Sequence, residues 1–117
     1  MTDLPVIERH RLDELRALGE LSGVPLVTNV LTRFLGDLPA HVRGVRDAIA
    51  DADAAALKFR AHSLKSSSAQ LGAAAMAAAC LSLEHAALEA APALFAVLEY
   101  EVARVTPLLV AERDAAS

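Results

Sequence analysis

The chain has 117 residues and a formal net charge of −4, with 55% apolar but only 3% aromatic residues. That length fits one domain with a single core and leaves no room for a nucleotide-binding catalytic domain beside it. The alanine-rich, aromatic-poor composition favours closely packed helices over sheets. Basic residues are scattered, so nucleic acid is not expected as a partner; no apolar run approaches the ~20 residues that span a bilayer.

Residues 1–10 lack the apolar core of a signal peptide, and Cys80 is the single cysteine. A reducing, cytoplasmic setting and no internal disulfide are therefore expected.

In chain order, a first short helix should follow Pro5, with Ile7, Leu12, Leu15 and Leu18 near one side and Gly19 and Gly23 marking its end. It is expected to lie across one end of the molecule. A second helix should begin near Pro25 and carry Val27, Leu31, Phe34, Leu38, Val42, Val45 and Ile49 at spacings of three or four. Pro39 interrupts that stripe, and a kink or a break is expected there.

Asp53, or alternatively Asp51, should cap a third helix running through Leu71, with Gly72 ending it in a left-handed conformation. A fourth helix is predicted from Ala73 to about Leu88, with Met76, Cys80, Leu83 and Ala87 inward. Pro92 should open a fifth with Leu94, Leu98, Val102, Val105 and Leu109 on its stripe, which Pro107 would bend or shorten. The expected fold is all-α: an antiparallel four-helix bundle, its core at about 24–113, plus the short N-terminal helix, in one domain over 1–117.

Chemistry concentrates on the third helix. At 100° per residue, Leu57, Ala61, Leu64, Ser68 and Leu71 share a sector of roughly 80° that must face the core. His62, Lys65, Ser66 and Ala69 then fall on the outer side at i, i+3, i+4 and i+7, with Lys58 one turn earlier adding charge to that face. An outward helical histidine is usually just solvated, but this one has a cation one turn along and small neighbours that let a partner approach. Those are the needs of a ring that carries a phosphoryl group.

Imidazole ordinarily titrates near about 6.5, so its neutral form is a nucleophile at neutral pH without a helper base. The accepting nitrogen should be the outward Nε2. On the fourth helix Glu84 lies beside the core stripe, either reaching Nδ1 or standing as a plain surface residue.

The run Ala61-His62-Ser63-Leu64-Lys65-Ser66-Ser67-Ser68-Ala69-Gln70-Leu71-Gly72-Ala73 resembles the phosphorylation motif of the histidine phosphotransfer (HPt) family. Phe34-Leu35, Asp53 and Leu83-Glu84 extend the likeness over nearly the whole chain. The resemblance implies a four-helix bundle whose His62 takes a phosphoryl group from a receiver-domain aspartate and gives it to another receiver. Lys65 would offset phosphate charge and Glu84 is a candidate to orient the histidine. Lys58, Lys65, Ser66 and Ala69 would meet the partner.

Such a carrier has no kinase activity and no cofactor of its own, the Mg²⁺ belonging to the receiver. Its expected partners are the receiver domains of a hybrid sensor kinase and of a response regulator, and the expected state is a monomer. Two departures stand out: Ser66 replaces a frequent family glycine, and position 84 is glutamine in some members. A free-standing carrier and the terminal domain of a hybrid kinase would look alike.

Other readings are weaker. A kinase phosphoacceptor domain normally has an acidic residue after the histidine, where this chain has Ser63, and no glycine-rich ATP motif is present. The histidine and lysine spacing also resembles the phosphotransfer domain of a chemotaxis kinase. A helical adaptor that binds a receiver or kinase without phosphotransfer is the alternative from another class. His10, His41, His62 and His85 show no ligand spacing for a metal, Cys80 reads as core, and Ser66, Ser67 and Ser68 have no evident base.

Overall fold

The computed structural model describes residues 4–116, so the expected domain limits at 1 and 117 lie outside the described residues. Five helices follow one another: α1 (Arg9–Ser22), α2 (Leu26–Ala50), α3 (Ala54–Gln70), α4 (Ala74–Glu84) and α5 (Ala91–Ala116). No strand occurs among the described residues.

Helices α2 to α5 form a closed ring in which α2 packs on α3 and α5, and α4 packs on α3 and α5. Short turns at 51–53 and 71–73 join packed neighbours, which makes successive helices antiparallel. The buried stripes meet in one cluster that includes Leu31, Leu57, Leu64, Met76, Leu98 and Leu109, with Leu12 of α1 joining it. Burial of this apolar surface is the main favourable term in folding, and it selects the rotation of each helix about its axis.

Local signals set most boundaries. The Asp53 carboxylate accepts from the Ala56 backbone N–H at 3.0 Å and caps α3, while Asp51 instead ends α2. Gly23 closes α1 at φ 71°, whereas Gly19 lies inside that helix and is buried. A side chain at Gly19 would meet the Val24 carbonyl oxygen at 2.7 Å, so its role is to let the chain fold back closely into α2.

Three expectations need correction. Pro39 does not break α2, and Pro107 does not shorten α5. Both rings sit at exposed positions, and the stripes before and after them are anchored in one core, which outweighs a cost of about 3 kcal/mol for an interior proline. Helix α4 ends at Glu84, about a turn before Leu88, and Ala87 is exposed outside it. Residues 85–90 turn instead, through bonds such as Ala86 N–H to Leu83 O at 3.2 Å and Ala90 N–H to Ala87 O at 3.0 Å. Leu88 still packs against the core from this turn, because reversal into α5 overrides the helical preference of the alanines.

The lead-in to α1 clamps the α3–α4 turn: Glu8 N–H donates to Gly72 O at 2.6 Å, and Ala75 N–H donates to Pro5 O at 3.1 Å. Arg9 and Arg16 both reach Glu112 near the end of α5, Arg9 through two hydrogen bonds and Arg16 at 3.7 Å. These contacts lay α1 across the end of the bundle where α3 stops and α4 starts.

Gly72 has φ 81°, and a Cβ there would stand 2.5 Å from the Glu8 carbonyl oxygen. Gly72→Ala is therefore expected to destabilise the fold by about 1 to 2 kcal/mol from the left-handed backbone alone, and to loosen α1 as Glu8 is displaced. Chemical denaturation with hydrogen exchange checks both; unchanged stability and unchanged exchange in α1 would refute this account of the turn.

Candidate functional site

The register of α3 decides which of its side chains meet solvent. Leu57, Ala61, Leu64, Ser68 and Leu71 are all buried, as the spacing requires, and they turn His62, Ser66 and Ala69 outward. Lys58 is exposed one turn before His62. Ser66 sends its hydroxyl back to the His62 carbonyl at 3.2 Å, while Ser67 and Ser68 do the same to Ser63 and Leu64. All three hydroxyls thus serve the helix backbone, and none of the three is poised as a nucleophile.

α3 and α4 share the most extensive of the helix interfaces. Each helix buries small side chains among its larger ones, Ala61 and Ser68 in α3 and Ala79 and Cys80 in α4. Glu84, the last residue of α4, is consequently brought up to α3. Its side chain is only 6% exposed, whereas that of His62 is 61% exposed.

The Glu84 carboxylate gathers three groups. Its Oε1 is hydrogen-bonded to Nδ1 of His62; its Oε2 accepts from Lys65 Nζ at 3.2 Å and lies 3.4 Å from Nε2 of His85. Burial alone would push this carboxyl up, but the hydrogen bonds from His62 and Lys65, with the charge of Lys65, outweigh it and hold the group below its usual range.

An ionised carboxylate only accepts, so the neutral His62 ring carries its proton on Nδ1. The lone pair is thereby left on Nε2, the nitrogen on the far side of the ring from Glu84. A carboxylate behind the ring also favours the positive charge that grows on imidazole as Nε2 attacks an electrophile.

The expected group of His62, Lys65 and Glu84 is therefore assembled in space, and Ser66, Ala69 and Lys58 share the exposed face around it. Two neighbours had not been singled out. Phe59, 71% exposed one turn before His62, was legible from the same helical projection. His85 was not, because it is the C-cap residue beyond α4 and its direction depends on how the chain turns.

Cys80 is buried and its thiol is pushed up to about 12, chiefly by that burial, so it stays protonated and inert. Among the described residues, no group of three or more His, Cys, Asp or Glu is placed to hold a metal ion. No helix among them is long and apolar enough to cross a membrane.

Comparison with known proteins agrees with this geometry. The Hpt domain family model matches residues 29–106. The crystal structure of histidine-containing phosphotransfer protein B (HptB) from Pseudomonas aeruginosa PAO1 is similar at a TM-score of 0.85 and 32% identity, over 97% of this chain and 98% of that one. No curated protein matches the chain. Fold, family match and the outward histidine on α3 converge, and the chain belongs to the Hpt domain family: it is a histidine phosphotransfer protein of phosphorelays, a phosphoryl carrier and not a kinase.

Proposed function

We propose that Nε2 of His62 is the atom that carries the phosphoryl group, and that the chain acts throughout as one phosphotransfer domain with its bundle core at about 24–113. The observation that carries the assignment is the pairing of His62 Nδ1 with the buried Glu84 carboxylate, which leaves Nε2 unprotonated and facing outward.

In the forward step the lone pair on Nε2 attacks phosphorus of an aspartyl phosphate on a receiver domain. The P–N bond forms as the bond from phosphorus to the aspartate oxygen breaks, and the receiver recovers a free carboxylate. Glu84 stabilises the charge that develops on the ring. Lys65, already within reach of the carboxylate at 3.2 Å, offsets the added charge of the phosphoryl group.

The reverse sequence delivers the group to a second receiver. Position and electrostatics are the carrier's contribution, while the receiver brings its own Mg²⁺, so this chain needs no cofactor. The receivers of a hybrid sensor kinase and of a response regulator fit these two roles. The protein is assigned to the cytoplasm as a monomer, with Lys58, Lys65, Ser66 and Ala69 meeting the receiver.

Incubation with a phosphorylated receiver and Mg²⁺ tests the assignment. Wild type should acquire acid-labile, alkali-stable label, and His62→Gln should acquire none while melting normally; label retained on the variant would refute it. Lys65→Ala should slow transfer about tenfold, the scale of one charge-assisted hydrogen bond to the transferring group. An unchanged rate and an unchanged lifetime of the phosphorylated form would remove Lys65 from the mechanism.

Ser66→Leu probes the docking face separately. It should slow transfer from a receiver by about tenfold or more through steric obstruction, while the ring still reacts at the wild-type rate with a small electrophile. Receiver transfer at the wild-type rate would place Ser66 outside the contact.

A further inference from the structure

The Glu84 carboxylate has one partner that the transfer chemistry does not use. His85 Nε2 stands 3.4 Å from Oε2, on the opposite carboxylate oxygen from the one held by His62. Its side chain is 67% exposed, so the ring meets solvent and lies outside the core. As the C-cap residue of α4 it also sits at the negative end of that helix, where a cation is favoured.

The charges around the carboxylate can be counted by element. From α3 come His62 and the permanently charged Lys65; from the α4 side come His85 and, one turn back, the neutral Cys80 thiol. On α5, the other helix packed on α4, Glu101 is paired with Arg104 at 3.0 Å. His85 is thus, among the described residues, the second imidazole beside this carboxylate, and imidazole is the side-chain type whose charge ordinarily changes near neutral pH.

We propose that His85 is a positioning residue which makes the charge that Glu84 presents to His62 depend on pH, and thereby widens the range over which His62 stays reactive. Its role in phosphotransfer rests on the reading of His62 as the acceptor. When His85 is neutral, the carboxylate acts on Nδ1 of His62 with only Lys65 offsetting it, and Nε2 is at its most nucleophilic. When His85 is protonated, a second cation lies on the same carboxylate. Placing a third on His62 is then disfavoured, so more of the His62 rings keep a free lone pair in acid. Intrinsic nucleophilicity falls by less than the unprotonated fraction rises, because the Brønsted dependence of attack on basicity is fractional.

The test uses diethyl pyrocarbonate, whose carbonyl carbon is attacked by unprotonated imidazole with loss of carbon dioxide and ethanol. The rate at His62 is followed on its peptide by mass spectrometry, with His10 as an internal reference. His85→Gln removes the titration and His85→Lys fixes a cation there. At about pH 8 the glutamine variant should match wild type and the lysine variant should be about threefold slower. At about pH 5.5 the pattern should cross over, the lysine variant matching wild type and the glutamine variant being about threefold slower.

A ratio of wild type to His85→Gln that is the same at both pH values would overturn the proposal, because a purely structural role moves the rate equally at each. The probe is a small electrophile and not a receiver. Failure of receiver labelling would therefore sink the carrier assignment of His62 without altering this measurement.

Discussion

A carboxylate with almost no solvent around it must be matched by donors or it will not remain ionised. Glu84 meets that requirement because α3 packs on α4 and brings His62 and Lys65 to it. Bulkier residues along this seam would move the carboxylate away from the His62 ring and leave it unpaired. The α3–α4 spacing therefore governs the tautomer of the histidine, the position of the Lys65 ammonium and the exposure of Nε2 together.

The two long-range ionic clusters do different work. Around Glu84 the donors are the His62 ring and the Lys65 ammonium, and the carboxylate is nearly enclosed. Around Glu112 the partners are Arg9 and Arg16 of α1, and hydrogen bonding from Arg9 holds that carboxyl below its usual range against the opposing effect of burial. The second cluster closes the end of the bundle beside the Gly72 turn. The first leaves its face of the bundle open for a partner.

Much of this was readable from the sequence because α3 is punctuated at both ends. Asp53 caps it, Gly72 ends it, and the intervening apolar stripe admits one rotation, so the outward position of His62 follows from helical period alone. For Glu84 the sequence placed the residue beside the α4 core stripe but left open whether it reaches Nδ1, which depends on how α3 and α4 pack. Where the outcome depended on tertiary closure, local signals failed. Pro39 and Pro107 read as interruptions but are carried inside continuous helices by the core on either side of them. The alanines after Glu84 read as helix, yet the chain has to reverse there. His85 and the seat of Glu8 on Gly72 involve residues outside any periodic segment, so no repeat announces them.

Helix α4 ends at Glu84, the same residue that holds the His62 ring. The aligned backbone dipoles make that end negative, and a carboxylate on the final residue adds to a charge the helix already disfavours. His62, Lys65 and His85 offset both at once. A phosphoryl group on His62 would draw Lys65 toward itself and leave the final turn of α4 with less compensation. Under the proposed role of His62, its occupancy would alter the firmness of a neighbouring helix end, so a receiver docking there would meet phosphorylated and unphosphorylated carriers as surfaces of different stiffness as well as different charge.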